Sequence, residues 1–233
     1  MIFVMRIPLT KYGLPQVIAF PAIILVIMVT VYIAGTEAVM SPLTVSIVEV
    51  IMGTLLVWVL AFFRDPSREI PEGGNILVSP ADGWITDIEV VEQSDAIRGN
   101  ALRIGIFLTI FDVHINRTPC AVRIEKITYR PGQYTNAMNP SSGRVNESND
   151  IAMTRLNEPK ETLLVRQISG AIARRIVCKA AVGDDFACGQ RFGMIKFGSR
   201  TELYLPARES VKCNVKVGDK VKAGVTILAK YTE

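Results

Sequence analysis

The 233-residue chain has a single histidine, His114, and only four cysteines. Cys120, Cys178, Cys188 and Cys213 form no Cys-x-x-Cys pair, and one imidazole is too few to complete a set of ligands with them. That argues against a structural zinc site and against a small disulfide scaffold; no metal is expected, and the thiols are expected to be reduced. Charge is scarce in one region: the first 63 residues carry only Arg6, Lys11, Glu37 and Glu49.

Apolar residues fill the space that charge leaves. They make up 49% of the chain, and a mean hydropathy of +0.31 is high for a soluble domain. Val17 to Ala34 is an 18-residue run without a charge, and Leu43 to Phe63 is a second, broken only by Glu49. Each is long enough to cross a hydrocarbon layer of ~30 Å as a helix. The loop between them, Gly35 to Pro42, has no Lys or Arg, whereas Arg6, Lys11, Arg64 and Arg68 flank the pair. The positive-inside rule then puts both ends in the cytoplasm. A second long run directly after the first argues against a cleaved signal peptide. Residues 1–63 are therefore expected to anchor the chain in the cell membrane, with the remainder on the cytoplasmic side. A pair of buried core helices is one alternative. Pro21 and Glu49 keep a shallow hairpin in one leaflet open as another.

Residues 64–233 carry the whole formal charge of +4, from 24 basic and 20 acidic side chains. Such a domain is drawn modestly toward anionic headgroups, and no nucleic-acid partner is expected. Its apolar segments are short and β-branched: Asn75–Val78, Trp84–Val91, Leu102–Leu108, Val122–Tyr129, Thr162–Ile168, Arg175–Cys178, Met194–Phe197, Glu202–Leu205 and Thr226–Tyr231. Turn signals such as Pro131-Gly132 and Val217-Gly218-Asp219 separate them. The expected fold is mainly β, a barrel or sandwich, behind an α-helical membrane hairpin. Gln133 to Asp150, rich in Asn, Ser and Gly, reads as a long mobile loop. The tail from Val215 to Ala229 is similar to a half-motif of biotinyl/lipoyl-type barrels, but no hairpin tip bears the lysine of a carrier.

Three blocks carry candidate chemistry: Val78-Ser-Pro-Ala-Asp-Gly-Trp84, Phe111-Asp-Val-His-Ile-Asn-Arg-Thr-Pro119 and Met194-Ile-Lys-Phe-Gly-Ser-Arg-Thr201. Taken singly, Asp82-Gly83 and Gly198-Ser199 read as ordinary turns, and His114 as a structural histidine as readily as a catalytic one. Together and in this order, with Tyr129-Arg-Pro-Gly132 and Phe192-Gly-x-x-x-Phe-Gly-Ser199, they resemble the short, membrane-anchored form of the phosphatidylserine decarboxylase family. The resemblance covers nearly all of Arg64 to Glu233. Two departures stand out. Longer members have Leu-Gly-Ser-Thr where this chain has Phe197-Gly198-Ser199-Arg200, and a further His where Phe111 stands.

The resemblance implies self-cleavage between Gly198 and Ser199, giving a β chain of residues 1–198 and an α chain of residues 199–233 that begins with a pyruvoyl cofactor made from Ser199. Gly198 suits this, because without a Cβ its carbonyl can be approached closely and its backbone can hold a strained turn. A serine hydroxyl needs a base, and His114 is the one imidazole available. Asp82 is expected to orient it, as in a Ser-His-Asp triad, and His114 later to return a proton. The implied reaction converts phosphatidylserine to phosphatidylethanolamine in the membrane. Arg117, Arg200 and Phe111 are substrate-binding candidates by proximity. Ether-linked archaetidylserine presents the same headgroup, and the motifs do not inspect lipid tails. A membrane-anchored serine hydrolase using Asp82, His114 and Ser199, or a non-enzymatic barrel module, is the competing reading; a homo-oligomer stays open.

Overall fold

The computed structural model describes residues 8–92, 97, 99–171, 175–196 and 198–232; Arg6 and Phe197, both used above, lie outside them. Backbone contacts divide the chain into two compact units, Met1–Ser67 and Arg68–Glu233.

The first unit is helical. A 3-10 turn, Lys11–Gly13, is capped by Thr10, whose Oγ1 accepts from the Tyr12 N–H at 3.2 Å. It runs into α1, Leu14–Thr36. The second helix, α2, Pro42–Phe62, starts where the sequence provides a Ser41 cap and a proline in the first turn. Both helices are long and apolar enough to cross a membrane. Ile18, Val26, Tyr32, Leu43, Val50 and Val57 all face outward. Apolar side chains on the outside accord with a surrounding bilayer rather than with a buried core pair. Glu49 is half-buried on α2, and its Oε1 has no hydrogen-bond partner among the described residues.

The second unit is built from antiparallel strands. In chain order they are β1 (Ile76–Val78), β2 (Gly83–Val91), β3 (Ala101–Leu108), β4 (Ile115–Arg117), β5 (Val122–Arg130), β6 (Ser148–Arg155), β7 (Thr162–Ile168), β8 (Arg175–Cys178), β9 (Asp185–Phe186), β10 (Arg191–Lys196), β11 (Ser199–Pro206), β12 (Val211–Cys213), β13 (Lys220–Val221) and β14 (Ile227–Tyr231). One large sheet has the order β13-β2-β3-β11-β7-β6-β5-β9. Two small sheets, β1-β14-β12 and β4-β10-β8, accompany it. The main core combines Ile85, Ile104, Ile106, Ile151, Val165 and Leu203 of the large sheet with Leu77, Phe192 and Leu228 of the small ones. The large sheet curls over that core as a half-barrel. Every expected β segment overlaps a strand, and Phe197, which ends one expected segment, lies outside the described residues.

One expectation fails. Gln133 to Asp150 is not a mobile loop. It contains a short helix, α3 (Ser142–Val145), and its last residues already belong to β6. Asn146 holds the segment down. Its Oδ1 accepts from the Thr135 N–H at 2.9 Å and from Thr135 Oγ1 at 2.7 Å, while Nδ2 donates to the carbonyls of Thr135 at 2.9 Å and Ser169 at 2.8 Å. One buried amide thus supplies the bonds that a regular element would draw from its own backbone. Asn146→Ala leaves these groups unmatched, at about 1–3 kcal/mol for each one buried. Limited proteolysis should then cut within residues 133–147 faster than in the wild type; equal rates would contradict this account.

Candidate active site

The three blocks singled out in the sequence meet at one end of the half-barrel. The Pro80 carbonyl accepts from the backbone N–H of Arg117 at 3.0 Å and from Asn116 Nδ2 at 3.4 Å, joining the first block to the second. Asn116 Nδ2 also donates to Thr201 Oγ1 at 3.0 Å, joining the second to the third. Strand pairing explains the convergence. β3 pairs with β11, so that Ser199 lies opposite Leu108, and β4 pairs with β10, so that Met194 lies opposite Ile115. The connection carrying His114 and the connection carrying Gly198 therefore bridge the same two pairings.

Gly198 has φ +61°, a conformation that glycine adopts without the steric penalty of a side chain. Its carbonyl faces Gly170 so closely that a Cβ on Gly170 would lie 2.2 Å from the oxygen; that Cβ would also lie 3.1 Å from Ala137 Cβ. Ser199 is fully buried, and its Oγ has no hydrogen-bond partner among the described residues. Beneath it the core turns from apolar to polar. Gln167 Nε2 donates to Asn116 Oδ1 at 2.9 Å, and Asn149 Nδ2 donates to Gln167 Oε1 at 3.2 Å. A buried hydroxyl without a partner among the described residues thus lies next to a carbonyl held in a left-handed turn.

His114 is fully buried, with Nδ1 2.9 Å from the Asp112 carbonyl. A carbonyl only accepts, so Nδ1 carries the proton and Nε2 of the neutral ring is the basic nitrogen. The Asp112 side chain closes the preceding turn by accepting from Thr109 N–H at 2.9 Å and Thr109 Oγ1 at 2.7 Å.

Asp82 has other partners than expected. Its Oδ2 accepts from Arg68 Nη2 at 2.8 Å and its Oδ1 from the Ala223 N–H at 2.7 Å, so the group that sets the imidazole tautomer is the Asp112 carbonyl. The expected substrate cations are also engaged elsewhere. Arg117 is buried and donates Nη1 to the Gly189 carbonyl at 3.0 Å. Arg200 is fully buried on the opposite face of the sheet from Ser199, because successive strand residues alternate faces. Phe111, in contrast, is 69% exposed, next to Ile110, whose Cγ2 lies 4.0 Å from the Cβ position of Gly198.

Sequence reasoning missed Asp112, Gly170, Gln167 and Lys196. Lys196 is nearly buried two residues before Gly198; burial, helped by the Arg175 charge, pushes its amine below the usual lysine range. A lysine inside the apolar strand Arg191–Lys196 was the available signal. The others act through a backbone carbonyl, a missing Cβ or a cross-strand contact, and their residue types do not announce them.

A family model for phosphatidylserine decarboxylase matches residues 55–229. The chain belongs to the phosphatidylserine decarboxylase family. A phosphatidylserine decarboxylase proenzyme of Rhodopirellula baltica is 41% identical over 227 residues, covering 97% of this chain and 90% of the relative. Proteins of the same name from Desulfotalea psychrophila and Carboxydothermus hydrogenoformans are 46% and 43% identical, covering 73% and 76% of this chain and 78% and 81% of their own lengths. As a member of this decarboxylase family, the chain is a carboxy-lyase in the class of its chemistry, and the half-barrel above is the fold that carries it.

The Asp82 environment has a measurable signature. Burial raises its carboxyl above the ordinary aspartate value, against the Arg68 charge and the Ala223 hydrogen bond, and the Asp112 charge adds to the rise. A raised native pKa favours the protonated acid in the fold. Its stabilising contribution is complete below the unfolded value and lost as pH rises through the native one. As pH rises above the ordinary aspartate value of about 4, wild type should lose thermal stability relative to Asp82→Asn. A stability difference independent of pH would show that the carboxyl is not raised.

Proposed function

We propose that this chain is a membrane-associated phosphatidylserine decarboxylase made as a proenzyme, which cuts itself between Gly198 and Ser199. The observation that carries the reading is the pairing of the buried Ser199 Oγ, without a hydrogen-bond partner among the described residues, with the left-handed Gly198, within a chain whose relatives are named proenzymes. His114 Nε2 takes the Ser199 hydroxyl proton, and Oγ bonds to the Gly198 carbonyl carbon. The C–N bond breaks, the proton passes to the released nitrogen, and an ester replaces the amide. Removal of the Ser199 α-proton then expels the Gly198 carboxylate and leaves a dehydroalanine. Tautomerisation and addition of water release ammonia and leave a pyruvoyl group at position 199.

Once formed, the pyruvoyl ketone supplies an electron sink for decarboxylation of an amine substrate. The site fits such a group: position 199 is buried, its oxygen has no partner among the described residues, and the adjoining Gly198 carbonyl packs against Gly170, where no Cβ would fit. His114 then holds its proton at Nε2 for delivery to the carbon that has lost CO₂. The Asp112 carbonyl keeps Nδ1 protonated throughout. Asp82, bound by Arg68 and the Ala223 N–H, holds the first block in place without touching the imidazole. The substrate is a serine phospholipid, and Phe111 faces its apolar part. The two apolar helices keep the enzyme in the layer that holds its substrate, with both ends on the cytoplasmic side as Lys11 and Arg64 suggest.

The test is the intact mass of the purified full-length protein in detergent. Wild type should give the 35-residue fragment 199–233 with an N-terminal 2-oxo group. Ser199→Ala should stay a single chain, and His114→Ala should be cut at least about 100-fold more slowly. A wild-type chain that stays intact, or a His114→Ala chain processed at the normal rate, would refute this assignment.

A further inference from the structure

We propose that Arg200 is a positioning residue for the scissile peptide, clasped across three strands by Thr86, Asp87 and Glu202 so that Ser199 is held rigidly beside the Gly198 carbonyl. The inference rests on the self-cleavage reading above and names a device that drives it.

Arg200 directly follows Ser199 and is fully buried. Its guanidinium is held on every side. Nε donates to Glu202 Oε1 at 2.8 Å and Nη1 to Thr86 Oγ1 at 2.7 Å, while Nη2 donates to both oxygens of Asp87, at 2.8 and 2.6 Å. Thr86 and Asp87 lie on β2, and β3 runs between β2 and β11. To reach them the side chain must pass over β3, and it does so at Gly105. A Cβ there would lie 2.0 Å from Arg200 Nη2 and 2.4 Å from Asp87 Oδ2. A second irregularity completes the arrangement. The β2–β3 register shifts between Ile85 and Asp87, and this bulge brings Thr86 as well as Asp87 to the guanidinium. Arg103 ties in the next row, pairing with Asp87 at 3.0 Å and facing Glu202 at 3.8 Å.

A bulge, a glycine crossing and a planar five-donor side chain are more than a surface ion pair requires. Their joint effect is to fix the first residue pair of β11 from the face opposite the chemistry. The planar fork makes this specific to arginine, since a lysine offers one point charge and no parallel donors. In the core-facing direction the Ser199 hydroxyl has no anchoring bond among the described residues, so its orientation is set through its neighbour.

The experiment follows first-order appearance of fragment 199–233 after cell-free synthesis of the full chain into phosphatidylcholine/phosphatidylglycerol nanodiscs. It compares wild type with Arg200→Lys, Asp87→Asn and Gly105→Ala, the last of which displaces the clasp without altering any member of it. Ile151→Val, a distant core variant, serves as a control for lost stability. All three clasp variants should cleave about 10- to 100-fold more slowly at every pH, with the midpoint of the pH–rate profile unchanged because the base is untouched. Arg200→Lys and Asp87→Asn should keep a folded melting transition. Cleavage of the clasp variants at the wild-type rate, or slowing no greater than that of the control at equal melting temperature, would overturn the inference alone. A wild-type chain that never cleaves would instead overturn the reading on which it rests.

Discussion

Strand β11 has no face in solvent. It lies between β3 and β7 in the large sheet, and all eight of its residues are buried. One face points into the core and the other into a layer of charges, and the strand begins at Ser199, the residue proposed to carry the chemistry. Burial without exception forces every polar group on it to find a partner or to remain reactive. On the core face Thr201 meets Asn116, and on the opposite face Glu202 meets Arg200 and Tyr204. Ser199 Oγ alone among these side-chain groups has no partner among the described residues.

The charged layer behaves as one unit. Burial by itself would raise the Asp87 carboxyl, but hydrogen bonds from Arg200 and Thr86 and the charges of Arg200 and Arg103 hold it below the usual carboxylate range. Arg166 extends the row, with its Nε 2.5 Å from Asp150 Oδ1 and its Nη1 3.2 Å from the Gly143 carbonyl of α3. Removing one partner from a buried pair of this kind costs about 3–5 kcal/mol, whereas the intact pair adds little net stability. Such a layer makes one register of β11 acceptable and its neighbours expensive.

Much of this was legible in the sequence, and the failures have physical causes. The β-branched segments marked their strands because half-buried and buried strands select those residues. β6 was hidden because it opens with Ser148, Asn149 and Asp150, polar residues that are buried here in cross-strand bonds rather than exposed in a loop. Adjacency in sequence placed Arg200 beside Ser199, but strand alternation sends adjacent side chains to opposite faces. Motif order suggested Asp82 as the partner of the histidine, whereas Asp82 bonds Arg68 and the Ala223 N–H and the contact to His114 comes from the Asp112 backbone, which any residue type could provide. The two long apolar helices were the easiest part, since length and apolarity alone define them.

The central position of β11 also dictates a sequence of events in the life of the molecule. A polypeptide ending at Gly198 would lack the strand between β3 and β7 and would present two long, facing, unpaired edges, together with the unpaired edge of β1 and β2 where β14 and β13 now lie. Edges of that kind recruit other chains. With scission before Ser199 as proposed, folding must come first, because only the complete polypeptide brings β11 between β3 and β7. A geometry that assembles the reactive bond only after those ladders close acts as a timer, making the native state a precondition for its own maturation.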